Sequence, residues 1–230
     1  MATGISFQGF RYIVQRFGLF AVFGAGLFVA AGSWDWPRGW AALGASFACE
    51  LLVLGILAFR APETLNQRGT RHAGVKPFDI VFMAAWLILS LSLAVVMGFD
   101  CVRYEWSSLP WSTFVVGIGL IVAATGIGTW AMVENKHFEQ FVRIQTDRNH
   151  RVVTTGPYRI VRHPGYVSFI LSTLAGPLMF GSVWAIVPTC LLVILFVWRT
   201  SREDATLQKE LDGYTQYTEQ TPYRLIPFVW

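Results

Sequence analysis

Six apolar blocks dominate this chain and leave few folds open to it. They cover residues 17–31, 39–59, 78–99, 111–133, 167–180 and 183–198. The second, third and fourth are each close to the roughly 20 residues that a helix needs to cross the hydrocarbon core of a bilayer. Charged residues make up 14% of the 230-residue chain, against about 25% in soluble domains. The sequence therefore predicts an all-α integral membrane protein with about six hydrophobic helices.

The last two blocks predict a short helical hairpin. They have only ~15 residues each and are separated by Gly181 and Ser182. At about 1.5 Å per residue, such a helix reaches roughly 22 Å, which is less than a typical hydrocarbon core. Pro177 and Pro188 are expected to kink or interrupt the two helices. A hairpin of this kind returns the chain to the side of the membrane from which it came.

Positive charge is distributed unevenly between the two sides that six crossings create. Sixteen of the 18 lysine and arginine residues share a side with both termini, and only Arg38 and Arg103 fall on the other. Because cytoplasmic loops are enriched in Lys and Arg, we expect both termini and the polar segments in the cytosol, with a bacterial inner membrane as the location. The basic residues lie between apolar blocks, which favours membrane lipids over nucleic acid as partners.

The first apolar block and the three cysteines do not point to a signal peptide, a disulfide framework or a metal site. The first block follows Arg11 and Arg16 and could be read as a signal peptide, but we favour a retained helix because further spans follow it. The three cysteines form no C-x-x-C pair and no Cys/His cluster with the spacing of metal ligands. The sequence therefore predicts neither a disulfide framework nor a metal site.

The most polar segment between apolar blocks is GPYRIVRHPGY at residues 156–166. Arginine, histidine and tyrosine are costly at the edge of a bilayer and tend to survive there because they bind or react. Gly156 and Pro157 predict a turn. Pro164 is expected to end the preceding structure and to begin the next helix. His163 would then lie at a helix N-terminus, where free N–H groups attract an anion such as a carboxylate.

A second polar group follows the last block. Arg199, Glu203 and Leu207 lie four residues apart, on one face of a helix that continues the last span. The hairpin would bring this face back beside residues 156–166. An Arg199–Glu203 ion pair is the simpler interpretation, and the alternative is that the two residues receive an anionic group and an ammonium. A ligand with both groups is amino-acid-like, and S-adenosylmethionine is one.

In the order and spacing of its polar motifs, the chain resembles the isoprenylcysteine carboxyl methyltransferase family and, more broadly, the membrane phospholipid methyltransferases. The motifs are NKHF at 135–138, HRVV at 150–153, GPY at 156–158, RHPGY at 162–166, Arg199 four residues before Glu203 and Asp204, and PYRLIP at 222–227. The resemblance covers about 40% of the chain. It divides the chain into four N-terminal spans, residues 1–134, and a catalytic region, residues 135–230.

The resemblance implies an S-adenosylmethionine-dependent methyltransferase whose cofactor pocket is cytosolic and capped by a helical C-terminal tail. The residues that it assigns to the cofactor are His150, Arg151, Val152, Val153, Tyr158, His163, Pro164, Gly165, Tyr166, Glu203 and Asp204. Arg199 would face the methyl acceptor, and Arg162 joins it as a candidate catalytic residue. Asp204 stands where the family often has a glutamate. Arg143 and Gln145 lie where the family can use a polar amide, and that position stays open.

The acceptor is expected to be lipophilic or lipid-linked, most like the carboxylate of an isoprenylcysteine. A phospholipid amine and a small thiol stay open. Glu50, inside the second block, is either a buried paired carboxylate, a packing feature or part of an acceptor tunnel, and it is the candidate acceptor-binding residue. An NADPH-dependent sterol or isoprenoid reductase is the alternative enzyme, although the cytosolic loops are short for so large a cofactor. A scaffold or transporter subunit without catalytic activity is a further alternative, but it would not need His150, Tyr158, His163, Arg199 and Glu203 in one chain.

Overall fold

The structure is a computed structural model that describes residues 4–70 and 73–230. Arg71, one of the sixteen basic residues on the expected cytosolic side, lies outside them. Within these two ranges the chain forms α-helices and no strand. The helices are α1 (Phe7–Ala31), α2 (Pro37–Arg60), α3 (Pro62–Arg68), α4 (Pro77–Gly98), α5 (Trp111–Glu134), α6 (Pro164–Phe180), α7 (Ile186–Glu210) and α8 (Tyr214–Gln220).

Four of these helices are long and apolar enough to cross a membrane. They are α1, α2, α4 together with the π-helical turn Phe99–Arg103 that extends it, and α5. Large apolar side chains such as Val22, Leu52, Ile88 and Val115 are more than half exposed on their outer faces, a surface suited to lipid rather than water. The all-α membrane class predicted from the sequence is thereby confirmed.

Proline residues fix where several helices begin. Proline occupies the first position of α2, α3, α4 and α6, where its missing N–H removes no helical hydrogen bond. At the start of α1, the Ser6 hydroxyl accepts a hydrogen bond from the N–H of Gly9 at 3.4 Å, and Gly32 ends the helix with a φ of 69°. These are local signals that can be recognised in the sequence.

Helix α1 begins at Phe7, earlier than the apolar block at residues 17–31. Its first half contains polar side chains whose partners lie on other helices. Arg11 donates to the carbonyl oxygen of Gly69, and Arg16 pairs with Glu50 at 2.6 Å. The apolar pattern underestimates the length of the helix because these partners are distant in sequence.

Helices α6 and α7 form the expected hairpin, with two differences from the sequence-based expectation. Gly181 ends α6 with a φ of 88°, and residues 182–185 turn the chain into α7. Helix α6 continues through Pro177, and Pro188 falls in the first turn of α7, so neither proline interrupts a helix. Helix α7 continues to Glu210, and it therefore carries the polar face at 199–207 as a rigid extension of the hairpin.

Small residues allow α5 and α6 to approach closely. Gly117, Ala124, Gly128 and Ala131 lie buried along one face of α5. A Cβ atom added to Gly117 would lie 2.6 Å from the Cγ of Met179 on α6. In membranes, such small residues let helix backbones pack against each other. The contact fixes the start of α6 beside the end of α5, where the polar connection between the two helices lies.

Candidate functional site

A cavity of about 1350 Å³, counting its open mouth, lies where the connection between α5 and α6 meets α7 and α8. We call it the first cavity. Its walls contain most of the residues that the sequence singled out. These are His150, Arg151, Val152, Val153, Tyr158, Arg162, His163, Gly165, Tyr166, Arg199 and Glu203. Pro164 and Asp204 are not among the lining residues, and Glu50 lines a second cavity.

One wall is set by the turn at Gly156. Gly156 has a φ of 58° and a Cβ atom there would lie 3.0 Å from the side chain of Glu134, so glycine suits the position. The turn directs the buried ring of Tyr158 towards α5, where its hydroxyl donates to the carbonyl of Ala131 at 3.4 Å. The hydroxyl of Tyr217 on α8 donates to the carbonyl of Tyr158 at 2.6 Å. Burial raises the pKa of Tyr158, which therefore stays protonated at neutral pH.

His150 is held as a neutral imidazole in the same wall. Its ring lies 4.7 Å from that of His137, centroid to centroid. Burial, followed by the nearby His137 and Arg143, lowers the pKa of His150 to about 4. The Nδ1 atom accepts a hydrogen bond from the N–H of Gln145 at 3.4 Å. In the neutral ring the proton is then on Nε2, so His150 can donate a hydrogen bond from that atom.

Asp204 is completely buried and ties the walls of the cavity together. Its carboxylate accepts hydrogen bonds from Arg162 at 2.9 Å, Tyr214 at 2.9 Å and Arg224 at 2.8 Å, and it lies 3.2 Å from His163 Nε2. Burial alone would raise the pKa of Asp204, but the hydrogen bonds from His163 and Arg162 outweigh it and hold the pKa well below its usual value. These contacts make Asp204 an internal anchor, and the cofactor contact expected for it stays a prediction.

Arg162, like Asp204, is bound on several sides by other parts of the protein. Its Nε and Nη2 atoms bind Asp204, and its Nη1 donates to the carbonyls of residues 221–222 at 2.8 and 2.7 Å. The backbone N–H groups of Arg162 and His163 donate to the carbonyls of residues 223–224. Because all three guanidinium nitrogens are already bound within the protein, Arg162 fastens the C-terminal segment to the site. The catalytic role expected from the sequence stays a prediction.

Arg199 lies buried in the opposite wall. Its Nε is 2.8 Å from the Oδ1 of Asp79 on α4, and its Nη2 donates to the carbonyl of Gln140 at 2.8 Å. The guanidinium lies over the rings of Phe82 and Tyr166, at 4.2 and 5.3 Å from their centroids. The ion pair with Glu203, considered as the simpler interpretation of the sequence, is thus replaced by one with Asp79.

Glu203 faces the first cavity from the same helix. One of its carboxylate oxygens, Oε2, accepts a hydrogen bond from the hydroxyl of Tyr166. Leu207, one turn further on, also lines the cavity. The i, i+4, i+8 pattern therefore predicted correctly that one face of α7 points into a single space.

The start of α6 offers less to an anion than expected. Pro164 has no N–H, and the N–H groups of Tyr166 and Val167 donate to the carbonyl of His163 at 3.0 and 3.3 Å. In this turn the N–H of Gly165 is the one left for a ligand. Gly165 also has to be small, because a Cβ atom there would lie 2.5 Å from the ring of Phe138.

A second cavity of about 940 Å³, also counting its open mouth, lies among α1, α2, α5 and α6. Glu50 lines it and accepts two hydrogen bonds from Arg16, at 2.8 and 2.6 Å. Arg16 and Phe138 line both cavities, so the two spaces are neighbours. Glu50 is therefore a paired carboxylate that also lines a cavity, and its role in an acceptor tunnel stays a prediction.

Asp79 is the site residue that sequence reasoning missed. It is completely buried and contacts Arg199, as described above. A signal was available, because Asp79 is the only charged residue in the apolar block at 78–99. Its partners, Val142 and Arg199, lie more than sixty residues away in sequence.

Comparison with known proteins finds similarity to one family of membrane methyltransferases. A sequence model described as "Isoprenylcysteine carboxyl methyltransferase (ICMT) family" matches residues 116–209. Protein-S-isoprenylcysteine O-methyltransferase B of Arabidopsis thaliana is 26% identical over 140 residues, 60% of this chain and 68% of that protein. The Mus musculus protein-S-isoprenylcysteine O-methyltransferase is 24% identical over 225 residues, 90% of this chain and 71% of that protein. The Schizosaccharomyces pombe enzyme of the same name is 30% identical over 108 residues, 46% of each chain.

Proposed function

We propose that this chain, because it belongs to the isoprenylcysteine carboxyl methyltransferase family, is a membrane enzyme that methylates the carboxylate of an isoprenylcysteine-type lipid with S-adenosylmethionine as the donor. The observation that carries the proposal is the first cavity itself. Two parts of the chain that are far apart in sequence line it, with His150, Tyr158 and His163 from the connection and Tyr166 from the adjoining start of α6 on one side, and Glu203 from α7 on the other.

The side chains around the first cavity fit S-adenosylmethionine. The carboxylate of Glu203, with one oxygen bound by Tyr166, can accept hydrogen bonds from an ammonium group. The N–H of Gly165 can bind a carboxylate, and His150 can donate from Nε2 to an adenosine group. When bound, S-adenosylmethionine supplies a methyl group activated by its sulfonium sulfur. The ammonium, the carboxylate and the adenosine group of the cofactor would thus each have a hydrogen-bond partner in Glu203, Gly165 and His150.

Arg199 orients the acceptor in this proposal. A carboxylate is already deprotonated at neutral pH, so the site needs to supply alignment and exclusion of water rather than a general base. The guanidinium of Arg199 can hold a carboxylate by charge-assisted hydrogen bonds. The rings of Phe82 and Tyr166 beside it keep water away and strengthen that interaction.

The acceptor's apolar chain is proposed to lie in or beside the second cavity. This space adjoins the first one at Arg16 and Phe138, so a lipid held there can present a polar end to Arg199. Glu50 would then lie next to the acceptor while paired with Arg16. The excess of basic residues on one side of the spans supports a cytosolic location for the site, with a bacterial inner membrane as the proposed compartment.

The cofactor assignment is tested by ligand-induced thermal stabilisation of the purified protein in detergent. We expect S-adenosylhomocysteine to raise the unfolding temperature and NADPH to leave it unchanged. Glu203→Ala is expected to weaken S-adenosylhomocysteine binding about 10- to 100-fold, because a hydrogen bond to a charged group is lost. Glu219→Ala, at an exposed position, is the matched control and should bind normally. Stabilisation by NADPH alone, or normal binding by Glu203→Ala, would overturn the assignment.

The acceptor assignment is tested with radiolabelled S-adenosylmethionine and an S-farnesylcysteine derivative that has a free carboxylate. The expected product is a methyl ester, which releases labelled methanol in alkali. Arg199→Ala should retain S-adenosylhomocysteine binding and lose transfer by at least about 100-fold, as for removal of a group that stabilises the transition state. An alkali-stable product would identify an amine or thiol as the acceptor and contradict the carboxylate assignment.

A further inference from the structure

Asp79 is a buried carboxylate that contacts two parts of the first cavity at once. It is the third residue of α4 and has no exposed surface. Its Oδ2 accepts a hydrogen bond from the backbone N–H of Val142 at 2.7 Å, and its Oδ1 lies 2.8 Å from Nε of Arg199. One side chain therefore joins α4, the connection after α5, and α7.

The contact with the connection is reinforced by the backbone. The N–H of Lys76 donates to the carbonyl of Val142 at 3.0 Å, while the N–H of the same residue is bound by Asp79. Val142 is thus held from both sides, and the wall formed by residues 137–145 is fixed against the start of α4. This part of the role of Asp79 needs an acceptor oxygen and does not need a charge.

The contact with Arg199 does need the charge. The Nη2 atom of Arg199 donates to the carbonyl of Gln140, and the guanidinium face lies on Phe82. The Nε atom lies 2.8 Å from the Oδ1 of Asp79, in an ion pair that lacks hydrogen-bond geometry. These contacts determine the plane of the guanidinium and leave the Nη1 atom without a hydrogen-bond partner among the residues that the structure describes. Arg199 lines the first cavity, so Nη1 is the nitrogen through which it can bind an acceptor.

We propose that Asp79 is a positioning residue for methyl transfer, which fixes the guanidinium of Arg199 so that Nη1 is presented to the acceptor's carboxylate. The inference rests on the proposed function, in which Arg199 orients the acceptor. Asp79 itself touches neither cofactor nor acceptor. Misplacement of an orienting group by about 1 Å can reduce a rate about 100-fold, so the effect of Asp79 should appear in turnover rather than in cofactor affinity.

The test is Asp79→Asn, which separates the two contacts. The amide oxygen can still accept from Val142, but the NH₂ group then faces the donor Nε of Arg199 and repels it. We expect kcat for methyl ester formation to fall about 10- to 100-fold, while the affinity for S-adenosylhomocysteine changes by less than about threefold. The control is Asp212→Asn, which removes a charge from an exposed position and should leave both unchanged.

A double-mutant cycle distinguishes a positioning role from a general structural one. In an Arg199→Lys background, which lacks the planar guanidinium, Asp79→Asn should lower kcat by less than about threefold. Equal losses in both backgrounds, or a loss of S-adenosylhomocysteine affinity that parallels the loss of kcat, would show that Asp79 does not act through Arg199. If Asp79→Asn does not fold, Asp79→Glu serves instead, since its longer side chain should displace Arg199 and lower kcat, and an unchanged kcat would refute the inference.

The activity of the unmodified protein distinguishes a failure of this inference from a failure of the proposed function. An unmodified protein that forms no alkali-labile methyl ester would overturn the proposed function together with the role of Asp79. An active unmodified protein whose Asp79→Asn variant turns over equally fast would overturn the role of Asp79 alone.

Discussion

At the scale of single residues, Asp204 explains why the site holds together. Five side chains surround its carboxylate, from the connection (Arg162 and His163), α7 (Gln208), α8 (Tyr214) and the C-terminal segment (Arg224). A buried charge is costly unless its partners are well placed. Because several cations and donors share one anion, removal of that anion leaves them all without compensation.

We therefore expect Asp204→Asn to destabilise the protein strongly, by about 3–5 kcal/mol, the usual effect of breaking a buried ion pair. The pKa of Asp204 is lower in the folded chain than in the unfolded chain, where it is about 3.9. Its stabilising contribution is thus complete above about pH 4 and is lost as the pH falls further. Thermal unfolding in detergent should show a large difference from the unmodified protein at pH 7 that shrinks in acid. An unfolding temperature equal to that of Asp212→Asn at pH 7 would contradict this role.

The contacts of individual site residues were the part of the site that the sequence could predict least. The spacing of Arg199 and Glu203 predicted that they share a face of α7, and both do line the first cavity. It could not show that Arg199 pairs with Asp79, because that contact joins segments 120 residues apart. Arg162 was predicted to be catalytic and Asp204 to contact the cofactor, while their burial and mutual hydrogen bonds were visible only in three dimensions.

At the scale of elements, the contact between α5 and α6 determines where the polar connection lies. Gly117 faces the end of α6 in this contact, and a Cβ atom there would lie 3.0 Å from the backbone nitrogen of Met179 and 3.1 Å from the carbonyl oxygen of Ala175. Backbone atoms cannot move aside as a flexible side chain can. The closeness of the two helices therefore depends on the absence of a side chain at this position.

Gly117→Ala is expected to destabilise the protein by about 1–3 kcal/mol, the typical cost of overpacking. Gly119 provides a control on the same helix, because a Cβ atom there has no neighbour within 4 Å. Gly119→Ala should be neutral or stabilising, since alanine favours a helix by up to about 1 kcal/mol over glycine. The measurement is thermal unfolding of both variants in the same detergent. Equal unfolding temperatures for the two would show that the α5–α6 contact tolerates a methyl group.

At the scale of the whole molecule, we expect both ends of the chain on one side of the membrane, because four candidate spans precede the α6–α7 hairpin. The charge distribution predicts that this side is the cytosol. A reporter that is active only in the cytoplasm should therefore function when fused to the C-terminus. It should be inactive when fused after Trp106, in the connection between α4 and α5. The opposite pattern of activities would reverse the orientation and move the first cavity to the outer side.

The sequence by itself determined the membrane class, the hairpin and the segments that supply the site. Each of these depends on local properties, namely apolar block length, charge distribution and the effect of glycine and proline on the backbone. Only the tertiary structure decided which polar side chains line the first cavity and which are bound within the protein. A buried charge takes its role from its partners, and the partners of Asp79, Arg162 and Asp204 lie on segments that folding alone brings together.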